Sequence, residues 1–390
     1  MKGTSRFTRT EAVLIAGAAA VVFTRVFAFS LVLPGFREHG ETLAGATDLL
    51  IGAALGAYGI TMALAQLGLG ILSDRLGRKP VLLLGTILFV AGSIGSALAD
   101  SIWTLLAARL LQGLGGVSSV ALAAVGETVP AERRTTAMAL VGIPAGLGFF
   151  LGFALGPFGA SLVGFRGLFW ASGVLGVLAI LPLMARPLPA PMPMTAAGVA
   201  RAVSPPVLAL CVAGFATNFG MSEVAFFLSD RPLGRGALAL VLVGAFVVMG
   251  IASKLIDRKR ASWQPIAYAL TALAAGAAVF LLRGPPALWV GALAFFAGHA
   301  VLSATLPSQV SRLAGRSGGR GHGVQLVVAY LGSAAGGVAA GAAASHPGQA
   351  ALLLASVAAL AAIAAITWLR GDPGAALPQP SSEASGGTPP

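Results

Sequence analysis

Polar positions along this chain are gathered into short stretches between long apolar blocks. Apolar runs, each close to the ~20 residues a helix needs to cross a bilayer, recur near 13–34, 48–72, 81–99, 102–125, 136–161, 167–185, 205–228, 236–256, 263–282, 287–306, 323–343 and 349–369. Inside hydrocarbon every backbone N–H and C=O must be paired within its own segment, so the pattern predicts an all-α membrane protein of twelve transmembrane helices. The sharpest interruption is Gly70-Ile71-Leu72-Ser73-Asp74-Arg75-Leu76-Gly77-Arg78-Lys79-Pro80. So many polar groups would be costly in the bilayer, which predicts a turn at the membrane surface. Gly70 and Gly77 are expected to let the chain bend and the helix ends approach. Pro80 suits the first turn of the next helix, where no amide donor is needed.

Composition sharpens this picture. Hydrophobic residues make up 57% of the chain and charged residues 10%, with a mean hydropathy of +0.88, which leaves no room for a sizeable soluble domain. A net charge of +12 taken alone suggests nucleic acid, but its placement excludes that partner. With the N-terminus in the cytoplasm, most of the 25 Lys and Arg residues fall in cytoplasmic loops and span ends, the positive-inside pattern with both termini cytoplasmic. The tract Gly315-Arg316-Ser317-Gly318-Gly319-Arg320-Gly321 is accordingly read as the loop between spans ten and eleven. Cys211 stands alone in an apolar run and is read as a packing residue. Lys2, Arg6 and Arg9 before an apolar run imitate a signal peptide, but the run is too long for a signal core and is read as the first span.

These features divide the chain into a cytoplasmic tail (1–12), a six-helix bundle (13–185), a Pro-rich linker (186–204), a second six-helix bundle (205–370) and a disordered tail (371–390). The second bundle echoes the first. Asp257-Arg258-Lys259-Arg260 corresponds to the Asp74 loop, and Gly337 and Gly341 to Gly152 and Gly156. Two similar halves place a site between them near the midplane.

Polar side chains inside spans are the candidates for function. A central Arg costs roughly 2.5–3.5 kcal/mol on insertion scales, so Arg25 must meet a wet cavity or find partners. Tyr58, Thr61 and Gln66 in the second span, and Asn218 and Ser222 in the seventh, either line a cavity or bond neighbouring helices. Arg109, Gln112, Gly113 and Gly116 share one helix face and should face the bundle interior. Glu223 is the acid well inside a C-half span and the candidate carrier of a coupled proton, with an interfacial Glu near Asp230 and Arg231 as the alternative. His299 is either a packing residue or a proton carrier. Antiparallel packing should bring Glu127 near Arg78. Gly148, Gly152, Gly156 and Gly159, with Pro157, form a small-residue groove that lets another helix approach. The four His residues share no metal-ligand spacing, and no phosphate-binding loop of the G-x-x-x-x-G-K-S/T kind is present. An enzyme, a metal and a cofactor are therefore not expected, and an ion gradient is the expected energy source.

The pattern G-x-x-x-D-R-x-G-R-K between spans two and three resembles the signature loop of the major facilitator superfamily of secondary transporters. R-L-L-Q-G-L-G-G resembles that family's fourth-span motif, and Gly152-Phe153-Ala154-Leu155-Gly156-Pro157 the fifth-span motif of drug/proton antiporters. T-R-V-F-A-F-S-L-V-L-P together with the Asp74 loop is similar to the YajR-like branch, without that branch's soluble C-terminal domain. The resemblance implies two pseudo-symmetric six-helix bundles. It implies a conformational latch of Gly70, Asp74, Arg75, Gly77, Arg78, Lys79 and Glu127, and a proton-coupling role for Arg109. It leads to an expected proton-coupled exporter of a small amphipathic molecule, monomeric and resident in a bacterial inner membrane. Two alternatives stay open: a carrier for a small anionic metabolite using Arg25 and Arg109, and a non-transporting sensor. Relatives that export cations carry an acid in the first span, where this chain has Arg25.

Overall fold

The computed structural model describes residues 7–185, 188, 205–228, 264–279, 285–314 and 318–344, with isolated positions between 241 and 248. The linker 186–204 apart from Leu188, the Asp257–Arg260 repeat of the loop, Asp230 and Arg231, the twelfth span and the tail 371–390 lie outside the described residues. The helices are α1 (Arg9–Val32), α2 (Phe36–Glu41), α3 (Asp48–Leu76), α4 (Arg78–Ala97), α5 (Ile102–Leu114), α6 (Ser118–Thr128), α7 (Ala131–Met184), α8 (Pro205–Leu228), α9 (Gln264–Val279), α10 (Pro285–Ala314) and α11 (Gly318–Ala343). Among the described residues seven helices are long and apolar enough to cross a membrane. The membrane face carrying the Asp74 loop is called the loop side below, and the opposite face the far side.

Local chemistry sets the ends of these helices. Thr8 caps α1 in a reciprocal capping box with Glu11, satisfying amide donors that a helix start leaves unpaired. Thr47 caps α3 and Ser101 caps α5. Arg133 from the start of α7 forks onto Glu11 with two contacts of 3.0 Å.

Three expectations are corrected here. The fourth span is two helices, α5 and α6, interrupted at Gly115–Val117. Its glycines face α3 and α4 so closely that the chain gives up helical pairing to pass between them: a Cβ at Gly115 would meet Phe89, and one at Gly116 would meet Met62. Gln66 repairs the break. Its Oε1 accepts the Ser119 N–H at 2.9 Å, and its backbone carbonyl accepts the Ser119 hydroxyl at 2.9 Å. The Gly-rich tract near 318 is not wholly a loop, because Gly318 to Gly321 already belong to α11. Gly70 does not bend the chain either; it is an interior residue of α3.

Gly77 alone of the pair turns the chain, at φ 93°, ψ 161°, a region reserved for glycine. A Cβ there would meet only Pro80, at 3.9 Å, so a substitution is opposed by backbone conformation and not by crowding. Gly77→Ala is expected to destabilise the protein by about 1–3 kcal/mol. Gly70→Ala should be neutral, or stabilising by up to about 1 kcal/mol, because its Cβ meets nothing nearer than the Ser119 hydroxyl at 4.0 Å. Thermal midpoints of the two variants in detergent check the opposite signs.

Glycine grooves pair the helices. Gly148, Gly152 and Gly156 of α7 receive Phe23, Phe27, Ser30 and Leu31 of α1. In the second bundle Gly332 and Gly336 of α11 receive Phe215 and Phe219 of α8 in the same manner. This corrects the expected correspondence. Gly337 and Gly341 are rotated by one residue, about 100° of helix, and face α3 of the other bundle. There they meet Asp48, Gly52 and Gly56. The two halves therefore touch backbone to backbone along the far-side part of α3, where Gly59 also meets the Tyr330 carbonyl. Nearer the loop side, Gly68 of α3 and Gly323 of α11 have nothing within 4 Å of a Cβ. On the far side the two halves are in direct backbone contact in this conformation.

Candidate functional site

The Asp74 loop is organised by one side chain. Arg78 opens α4, is buried at 4% exposure, and reaches in three directions. It contacts Asp74 Oδ1 at 2.8 Å across one turn, the Ser73 hydroxyl, and the Glu127 carboxylate at the end of α6. Two carboxylates around one planar guanidinium match its fork of donors. Lys79 leaves this cluster and donates to the carbonyl of Met184 at 2.9 Å, tying α4 to the end of α7. Arg75 is exposed and has no ion pair among the described residues. The basic residues of one motif thus do three different jobs. The Asp74 side chain, 35% exposed, stays within its own bundle, on Arg78.

A second cluster lies inside the first bundle. Arg109 is fully buried, at 0% exposure. Its Nη1 donates to Gln112 Oε1 at 2.6 Å, Gln112 Nε2 donates to Ser93 Oγ at 2.8 Å, and Ser93 donates to the Phe89 carbonyl. The Arg109 guanidinium lies over Tyr58 at 4.5 Å and Phe36 at 5.5 Å. Arg25, 2% exposed, lies 3.8 Å over the Phe89 ring and donates to the Thr86 hydroxyl at 3.3 Å. The Tyr58 hydroxyl donates to the Arg25 carbonyl at 3.5 Å. Ring faces and hydroxyls stabilise these cations, yet no carboxylate pairs with either among the described residues. Arg25 Nε and Arg109 Nε and Nη2 have no hydrogen-bond partner there.

The remaining candidates lie apart from this cluster. Thr61 bonds back to Ala57 of its own helix at 3.0 Å, and Asn218 back to Gly214 at 2.9 Å. Ser222 bonds Ser333 across α8 and α11 at 2.8 Å. Glu223, for which an interfacial position was the alternative, is fully buried at 0% exposure, and neither carboxylate oxygen has a hydrogen-bond partner among the described residues. His299 of α10 is buried against Phe149 and Phe150 of α7, with ring centroids 4.7 and 6.5 Å apart, and hydrogen-bonds the Thr217 backbone. It therefore sits on the seam between bundles, where Phe153 and Phe296 also meet at 5.2 Å. Cys211 is buried. Sequence reasoning missed Ser73, Ser93 and Thr86, small hydroxyls whose value comes only from the guanidinium or amide packed on them. It also missed Arg37 at the far side, although the Arg37/Glu41 spacing of one helical turn was visible.

Two bundles of apolar helices, packed through glycine grooves and enclosing buried charges, define a polytopic membrane transporter for a small molecule. Residues 15–337 match the family model described as Major Facilitator Superfamily, and the chain belongs to that superfamily. It is 38% identical over 164 residues to the inner membrane transport protein YajR of Escherichia coli K12, a stretch covering 42% of this chain and 36% of YajR. It is 34% identical over 145 residues to MdtD, a candidate multidrug resistance protein of Yersinia enterocolitica, covering 36% of this chain and 31% of MdtD. The matched stretch is thus only about a third of either relative's length. Among solved structures, the human organic anion transporter MFSD10 aligns with a TM-score of 0.69 at 20% identity, covering 93% of this chain and 100% of the other. The xylose transporter XylE of E. coli, in a partially occluded inward-open conformation, aligns at 0.71 and 14%, covering 93% and 99%. These structural likenesses concern the fold alone.

Proposed function

We propose that this transporter is a proton-coupled exporter of a small amphipathic molecule, of the drug/proton antiporter type and akin to the YajR-like branch, working by alternating access between its two bundles. The observation that carries the reading is the buried Arg78, held by Asp74 and Glu127 at the loop-side end of α3, α4 and α6. In the reading, Asp74 docks on the loop-side start of α11 in one state only, and Arg75, Arg78 and Glu127 hold that latch. In this structure Asp74 lies on Arg78 of its own bundle, an arrangement the reading assigns to the released latch. Glu223 is the proposed proton carrier. It is buried with neither carboxylate oxygen hydrogen-bonded among the described residues, and only a difference in proton affinity between two states can couple proton movement to rocking. The placement of Lys and Arg supports an inner-membrane protein with both termini cytoplasmic, and a monomer suffices.

Proteoliposomes with an imposed pH gradient test the reading: an exporter drives substrate against the proton flow. Asp74→Asn is expected to lower transport by about tenfold or more with an unchanged thermal midpoint, since the group acts on the switching equilibrium. Unchanged transport in that variant removes the latch.

One observation favours a second reading. Arg25 and Arg109 are two buried cations with no carboxylate partner among the described residues, an arrangement suited to an anionic substrate. In that case substrate movement follows its own gradient, and reversing the pH gradient leaves its direction unchanged.

A further inference from the structure

Two aromatic triplets of equal spacing meet across the seam between the bundles. α7 carries Phe149-Phe150-x-x-Phe153, and α10 carries Phe295-Phe296-x-x-His299. They run antiparallel. Phe149 faces His299 with ring centroids 4.7 Å apart, and Phe153 faces Phe296 at 5.2 Å. Gly148 and Gly152, on either side of Phe149, receive Phe23, Phe27 and Ser30 of α1, which sets the triplets at the depth of Arg25. Of the six positions five are phenylalanine, and His299 alone brings polar atoms.

His299 is 3% exposed, and its ring hydrogen-bonds the Thr217 backbone. Thr217 lies inside α8, whose own ladder takes up its N–H, so the group met is the carbonyl and the ring donates. Nδ1 has no partner among the described residues. The donated proton is therefore on Nε2, and the neutral ring leaves Nδ1 as a buried acceptor. A buried acceptor left unpaired opposes folding. Phenylalanine, used at the other five positions, would avoid that cost.

We propose that the His299 seam is a substrate subsite for a flat, uncharged aromatic compound with one N–H or O–H donor on its edge; this names the substrate class of the exporter reading and rests on its alternating access. When the bundles part, α7 carries Phe149 and Phe153 away from α10. The rings lose their partners across the seam, and a planar guest between them restores those contacts on both its faces. Its edge donor bonds Nδ1. Ring faces alone accept any flat hydrocarbon, whereas Nδ1 discriminates, because a guest without the donor leaves a buried polar group unpaired. A charged guest would give up its hydration to phenyl rings and a neutral imidazole, which do not repay it.

The full-length protein, purified in detergent, is titrated calorimetrically with indole and with N-methylindole, and saturable binding is read above partition into the micelle. The wild type is expected to bind indole about tenfold more tightly than N-methylindole, which keeps the rings and loses the donor. His299→Phe should bind indole as weakly as the methylated probe, and Phe149→Ala should weaken both by about fivefold. If His299→Phe fails to fold, the two probes on the wild type decide without it. Equal affinities in the wild type, no saturable binding of either probe, or a preference for indole that survives in His299→Phe overturns the subsite. Binding is read without a gradient, so failure of pH-driven transport in proteoliposomes overturns the exporter and leaves this result standing. A failed binding pattern in a protein that still exports overturns the subsite alone.

Discussion

Arg78→Ala is expected to destabilise the first bundle by about 3–5 kcal/mol and to abolish transport, whereas Arg75→Ala, three residues away, changes stability by less than about 0.5 kcal/mol. The contrast follows from what each charge leaves behind. Removing Arg78 takes away the guanidinium that joins Asp74 and Glu127, the latter at 12% side-chain exposure, and Ser73, wholly buried, loses its donor. Breaking a buried ion pair by removing one partner is among the few mechanisms able to cost this much. Arg75 leaves no such group. Arg78→Lys should fall between them, because an ammonium keeps the charge but cannot present paired donors to two carboxylates at once. Glu127→Gln should cost less than Arg78→Ala, since Asp74 still neutralises the guanidinium. Thermal midpoints in detergent, paired with uptake into proteoliposomes, check the order. Equal midpoints for the Arg75 and Arg78 variants would show that burial does not separate the two.

That separation was not legible in the sequence, although the loop was. Asp74, Arg75, Arg78 and Lys79 stand out because charge is rare in this chain, and rarity marks membrane boundaries and functional groups alike. The pattern gives no sign of which arginine turns inward; that depends on Glu127, 49 residues away. The spans show a similar division. Apolar runs reveal where helices lie because hydrocarbon demands them. The break at Gly115–Val117 is invisible in hydropathy, since its residues are all small or apolar. Its cause is close packing on Phe89 and Met62 from two other helices. The glycines of α11 show the limit of repeat matching: an offset of one residue separates Gly336, on the intrabundle face, from Gly337, on the seam. Sequence similarity tolerates that offset, but a helix face does not. Arg37 went unmarked because exposed-looking loop charges are common and the Phe226 ring it lies over comes from the other half of the chain.

Arg109→Leu is expected to reduce transport by about a hundredfold or more while leaving the thermal midpoint equal or higher, the reverse pairing of effects from a scaffold residue. Arg109 is fully buried with one neutral side-chain partner, Gln112, and two ring faces. Its Nε and Nη2 donors are unpaired among the described residues. Desolvating a guanidinium in this way opposes folding, and well-packed apolar replacements of buried ions are often neutral or stabilising. Leucine loses the ring contacts, which offset part of that penalty by about 1–2 kcal/mol, but it also removes the penalty itself. A residue retained against stability needs another reason to be there, and the two proposed readings supply one in a moving charge: a proton on Glu223 or an anion entering between the bundles. Arg109→Lys separates these from simple packing. It keeps the charge and loses the fork, so partial transport with an unchanged midpoint is expected. Near-normal transport in Arg109→Leu, with a lowered midpoint, would instead make Arg109 a strut between α5 and Tyr58 and move the search for the coupling site to Glu223 and His299.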